Sequence, residues 1–169
     1  ANERFLLMAN IDDLMDDVQS DSEVYYDEKT PIENIASGTY EARIVGLTRK
    51  LNHRTKKGFD CDMYWVRYRI CNDSPTFANR LIRDDGQFRY RSKNCRNRNI
   101  YYKKFLDKLG ISLSKIEVDG NLRYSLPSIS EDMVLGKKTL INVYVSEWND
   151  SRGYHNEPVA KLIKVIESK

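Results

Sequence analysis

The chain has 169 residues, 28 basic and 25 acidic, with a net charge of +3, enough for one domain with its own core plus a tail. Its three cysteines, Cys61, Cys71 and Cys95, are an odd set without CxxC spacing, which argues against a disulfide framework or a zinc knuckle and for a reduced, cytoplasmic setting. No apolar run approaches the ~20 residues that span a bilayer, and the first residues carry acids where a secretory signal has Lys or Arg, so a soluble protein with no membrane partner is expected.

Charge is unevenly spread. Ala1 to Asn34 holds ten acids against Arg4 and Lys29, a net −8, which leaves +11 on the rest. An acidic arm on a basic body suggests a polyanion-binding surface with a tail able to compete for it; a solvated tail on a mildly basic globule fits the same count. In residues 4–18, Leu7, Ile11, Leu14, Met15 and Val18 recur at helical spacing between four aspartates, which predicts a short acidic amphipathic helix. Its apolar stripe needs something to pack on: its own domain, a partner protein or a second subunit. Residues 1–36 thus read as an acidic arm with a linker, and residues 37–169 as the folded domain.

Thr39 opens a strand in which Tyr40, Ala42 and Ile44 alternate with Glu41, Arg43 and Val45, and Gly46 marks a bend or bulge. Thr48 to Lys57 follows as a basic loop, with Arg49, Lys50, Arg54, Lys56 and Lys57, no acid, and His53. Cys61 to Cys71 is the second strand, with Tyr64, Val66, Tyr68 and Ile70 on one face and Met63, Trp65, Arg67 and Arg69 on the other. An indole in a row with two guanidinium groups can stack a base and neutralise its phosphates; an ordinary half-exposed sheet face has the same pattern. After a turn at 72–75, a third strand is expected over Thr76 to Ile82, ending at the hairpin signal Asp84-Asp85-Gly86.

From Gln87 to Lys104 come seven cations, no acid, and four interleaved aromatics, Phe88, Tyr90, Tyr101 and Tyr102. Phe88 and Tyr90 share one side of an extended segment and Arg89 and Arg91 the other; one of the pairs fits the core equally well. Asn97 or Asn99 caps a helix with Tyr101, Phe105 and Leu109 on its apolar face, stopped by Gly110, and its tyrosines read as core or flank residues. Residues 111–129 read as loop with a turn at Asp119-Gly120, and Ser130 starts one more helical turn. Lys137 to Glu147 is a strand, residues 148–156 a loop, and Val159 to Ile166 the last strand. In that loop Trp148 and Tyr154, beside Arg152 and His155, offer a second stacking lip or fold back on the domain.

Three strands, a capped helix and two more strands, with a basic loop in the first pair and an aromatic loop in the last, is the order of a five-stranded OB-fold barrel with its helix between strands three and four. Through GTYEARIVG, KKFLDKLG, LGKKTLINVYV and HNEPVAKLIKVI, residues 37–167 resemble the small OB-fold single-stranded DNA-binding proteins of phage and mobile-element replication or recombination modules. The resemblance implies a groove across strands two and three that binds single strands without chemistry. It would use Trp65, Arg67 and Arg69, the first loop's Arg49, Lys50, His53, Arg54, Lys56 and Lys57, and the last loop's Trp148, Arg152, Tyr154 and His155. Arg80, Phe88, Arg89, Tyr90 and Arg91 would form its floor or rim. Such binders carry their acidic tail at the C-terminus, whereas here the acids are N-terminal.

Single-stranded DNA is therefore the expected partner, with RNA as a variant. An adaptor or inhibitor working through the acidic helix is the alternative. No enzyme is expected: two histidines 102 positions apart, no glycine-rich phosphate loop, no HExxH and no GxSxG leave no catalytic constellation, cofactor site or metal site to assign.

Overall fold

Alternation of apolar and polar side chains builds the fold, and a computed structural model, which describes residues 20–26 and 33–167, extends it further along the chain than composition suggests. The residues divide into two units, Ala1–Glu33 and Asn34–Lys169. In the first, a 3-10 turn at Asp21–Glu23 precedes exposed Val24, Tyr25 and Tyr26. The helix expected over residues 4–18 lies outside the described residues.

The second unit runs β1 (Gly38–Arg54), β2 (Asp60–Ile70), β3 (Leu81–Arg83), β4 (Gln87–Tyr90), a 3-10 segment (Lys93–Asn99) and α1 (Ile100–Lys108). It continues through β5 (Lys115–Val118), β6 (Asn121–Tyr124), the single turn α2 (Glu131–Val134), β7 (Lys138–Asp150) and β8 (Gly153–Glu167). The main sheet is antiparallel in the order β3-β2-β1-β7-β8, with β4 also paired to β2, while β5 and β6 form a separate hairpin. Its two ends meet through a single parallel bridge, Asp84 to Ala160. The mainly β class is as expected, but no continuous ladder closes this sheet among the described residues.

The β2 alternation holds as read. Tyr64, Val66, Tyr68 and Ile70 are buried, Met63 and Trp65 are half-buried, and Arg67 and Arg69 are exposed. The inner face packs with Ile44 of β1, Ile141 and Val143 of β7, and Tyr102, Leu106 and Leu109 of the helix region. Each such fully buried apolar side chain is worth ~1.5–3 kcal/mol, and together they hold the sheet against the helix. Two of the buried tyrosines keep a polar end satisfied, the Tyr102 hydroxyl donating to the Pro127 carbonyl at 2.6 Å and that of Tyr64 pairing with Ser128 Oγ, whereas the buried Tyr68 hydroxyl has no hydrogen-bond partner among the described residues. Gly46 marks an irregularity, as expected, because the β1–β2 register shifts between Ile44 and Gly46.

Five expectations are corrected. Residues 111–129 are not all loop, because β5 and β6 pair there as a hairpin across Asp119-Gly120. The basic loop is mostly strand: β1 runs on to Arg54, and only the tip at 55–59, closed by the Gly58 N–H on the Thr55 carbonyl, is a turn. Aromatic and β-branched residues of β2 supply a partner ladder that carries the polar half of β1 into a ribbon, with a second register shift between Lys50 and His53. The third strand is not Thr76 to Ile82, because Phe77 and Asn79 have φ of 55° and 64° and turn the chain there. Asp84-Asp85-Gly86 is not a hairpin turn but a break between β3 and β4, both of which pair with β2. The loop at 148–156 is likewise a ribbon, β7 pairing with β8 out to Asp150 and Gly153.

At that break Gly86 has φ +99°, and a Cβ there would lie 2.9 Å from Trp65 Nε1. Gly86→Ala is therefore expected to cost ~1–3 kcal/mol, read as a lower urea midpoint at an unchanged m-value. A midpoint equal to wild type would show that neither the positive φ nor the indole resists a Cβ there.

Candidate nucleic-acid interface

The site starts from the period of two in β4. In register, Met63 faces Phe88 and Cys61 faces Tyr90, so both rings take the side of the sheet that carries Trp65. Phe88 and Tyr90 stack at 6.3 Å between centroids with an interplanar angle of 24°. The next segment is pinned against them. Asn99 accepts the Tyr90 N–H at 2.7 Å and donates to the Tyr90 carbonyl at 3.0 Å, an amide spent on the strand edge and not on capping α1.

That clamp sets α1 beside β4. Tyr102, Phe105 and Leu106 of α1 turn into the core. Tyr101, which the helical spacing places on the apolar face, is instead 74% exposed, because the inward stripe begins one residue later. Between β4, α1, β7 and β8 lies a groove of about 1210 Å³. Phe59, Phe88, Tyr90, Tyr101, Phe105 and Tyr144 give it aromatic walls. Arg98, Lys104, Lys108 and Lys161 give it four cations against one lining acid, Asp85, among the described residues. Arg98 stands 4.9 Å over the Phe59 ring. Tyr144 donates its hydroxyl to Asp85 at 2.7 Å, and burial, reinforced by that bond, pushes its pKa up to about 12, so it stays a neutral donor. Aromatic faces, amides and surplus positive charge on one concave surface can stack bases and neutralise phosphates.

Of the residues singled out in the sequence, Phe88 and Tyr90 line this groove, and Trp65 lies over its Gly86. Arg89 and Arg91 are committed elsewhere: Arg89 Nη1 lies 2.8 Å and Arg91 Nε 3.4 Å from the carboxylate of Asp62, which is buried. Arg89 also donates to the Leu126 carbonyl at 2.9 Å. Arg67 and Arg80 border a smaller groove of about 400 Å³ with Arg83, which is ion-paired to Glu157. Arg80 lies over the Phe77 ring at 5.9 Å, and Arg69 faces Arg43 and Leu81 in register.

The first ribbon displays Arg49, Lys50, Lys56 and Lys57 exposed and His53 half-buried, while Arg54 pairs with Asp60 at 3.2 Å. On the second, Trp148 stacks on His155 at 5.4 Å, and His155 Nε2 and Arg152 Nη2 reach Asp150 at 2.8 and 3.3 Å. The Arg152 N–H and His155 bonds lower the Asp150 pKa, which keeps that carboxylate ionised between its partners. Tyr154 is 57% exposed. Of the two ribbon tips only Phe59, at the end of the first, lines the large groove, and none of the ribbon residues singled out in the sequence does.

Phe59, Tyr144 and Lys161 carried no signal in the sequence, because each sits alone in its own segment. Arg98, Tyr101 and Lys104 lay inside the aromatic-basic run, and only the helix phase shows which of them face out. Among the described residues no group of three or more His, Cys, Asp or Glu can hold a metal ion, and no helix is long and apolar enough to cross a membrane. No protein-family model and no curated protein matches this chain.

Proposed function

We propose that this chain is a sequence-tolerant single-stranded DNA-binding protein acting in replication or recombination, with strand binding in the aromatic and cationic groove of Phe88, Tyr90 and Tyr101. The observation that carries the reading is that groove's composition, six aromatic rings and four cations against one acid among the described residues. The main sheet is then an OB-fold-like barrel in which β3 and β4 together serve as the third strand; the β3-β2-β1-β7-β8 order and the parallel Asp84–Ala160 bridge support this. The work is binding without chemistry: backbone neutralisation, which falls with salt, and base stacking of ~1–3 kcal/mol per base.

Anisotropy titration of labelled oligo-dT, with duplex and oligo-U competitors, tests this. Phe88→Ala and Tyr101→Ala each remove one exposed ring and are expected to weaken oligo-dT binding about 5- to 150-fold with melting unchanged. Unaltered affinity in both variants would reject the groove. A second reading, an interaction module working through the acidic arm, has exposed Val24, Tyr25 and Tyr26 in its favour. Deleting residues 1–33 separates the two: retained oligo-dT binding supports the groove, and loss of activity supports the arm.

A further inference from the structure

Beside the aromatic groove lies a second one of about 630 Å³, and Tyr90, Asn97 and Ile100 line both. Its far wall is the β5–β6 hairpin, inserted between α1 and β7, which contributes Ile116, Val118, Arg123 and Tyr124. Its chemistry differs from its neighbour's. Arg89, Arg91, Arg96, Lys103 and Arg123 line it, and among the described residues no acid does. Beneath them the single Asp62 carboxylate is shared by Arg89 and Arg91, which leaves one guanidinium charge in excess. Arg96 and Lys103 meet Asp119 and Asp107 at 3.6 and 2.8 Å, but both acids are half or more exposed, so these are surface pairs that a phosphate can displace. Tyr124, the hairpin's aromatic, already carries Lys103 and Lys115 ammonium groups 4.4 and 5.0 Å from its ring centre, which occupies the ring that would stack a base.

We infer that this second groove binds the phosphodiester backbone of the strand whose bases stack in the first, so that a longer single strand runs over the Tyr90–Ile100 saddle and on to the hairpin. This inference rests on the proposed single-strand function. It divides the path into a base-binding half and a phosphate-binding half.

The test titrates the full chain with oligo-dT of about 4 and about 12 nucleotides, a short and a long length within the range of known single-strand sites, over a range of salt. Arg96→Glu with Arg123→Glu is compared with wild type and with Lys93→Glu plus Lys164→Glu, a charge-matched pair that lines neither groove. The groove pair is expected to weaken the long oligomer about tenfold and flatten its salt slope by about one to two, leaving the short oligomer's affinity intact, which also reports folding. The control pair should change both lengths equally and little. If wild type binds both lengths but the groove pair weakens them equally, or weakens neither, the second groove carries no backbone and this inference falls alone. If wild type binds neither length even at low salt, the single-strand reading fails and takes this inference with it.

Discussion

Asp62→Ala is expected to destabilise the domain by about 3–5 kcal/mol, because it removes the buried counter-charge of the half-buried Arg89 guanidinium and of the more exposed Arg91 beside it. Asp62 sits directly opposite Arg89 in the β2–β4 register, and its side chain is 6% exposed. One carboxylate meets three needs: Arg89 Nη1 at 2.8 Å, Arg91 Nε at 3.4 Å, and the Asn52 N–H at 3.0 Å. Asn52 is the residue with φ 58° in the register shift of β1, so the same acid holds the bulge and the base of the first ribbon. Urea unfolding measures the cost. The double variant Asp62→Ala with Arg89→Met should lose less than the two single changes added together, since it removes an orphaned charge along with its partner. Additive losses would mean that the two side chains act independently.

Asp84 is expected to make the domain less stable as pH rises through neutrality. Burial is the main reason its pKa is pushed up to about 7 from an ordinary 3.8, outweighing the N–H groups of Val66 and Gly86, at 3.0 and 3.1 Å from Oδ1, and the Gln87 amide. Because the folded carboxyl holds its proton more tightly than the unfolded one, its contribution is fully present below about pH 4 and is lost as pH rises through about 7. The gap is worth about 4 kcal/mol, an order-of-magnitude figure. Asp84→Asn keeps an oxygen for the Val66 and Gly86 N–H groups and cannot ionise. It should therefore match wild type near pH 4 and exceed it at pH 8, with the difference growing between. A constant difference across that range would show that Asp84 does not titrate there. The residue also carries the bridge that, among the described residues, joins the β3 end of the sheet to β8, so loss of order at high pH should begin where β3, β4 and β8 meet.

Much of the fold was legible along the chain. Tyr64, Val66, Tyr68 and Ile70 go inward as their period of two requires, the helix stops before Gly110, and Asp119-Gly120 turns the chain even though a hairpin forms around it. The two polar stretches that became ribbons were not legible. Their composition is that of loops, and only the facing ladder at 60–63 or 153–157 makes them strands. Asp84-Asp85-Gly86 carries a hairpin's residues, yet a buried carboxylate that accepts the Val66 N–H turns the same residues into a break inside one strand path.

The candidate site divides in the same way. Local spacing and charge were enough to mark residues 87–104 as an aromatic-basic run, because alternation and cation density are properties of neighbours in the chain, but the groove expected from sequence was centred on Trp65, Arg67 and Arg69, with Phe88 to Arg91 only at its floor or rim. Which of the run's cations reach the observed groove was decided by a residue far away in the chain, since Asp62 binds Arg89 and Arg91 and leaves Arg98 and Lys104 to it. Tyr144 and Lys161 join them only because the sheet wraps its two ends toward each other. Burial, ion pairing and concavity depend on what the fold brings alongside a residue, and no pattern of sequence neighbours carries that information.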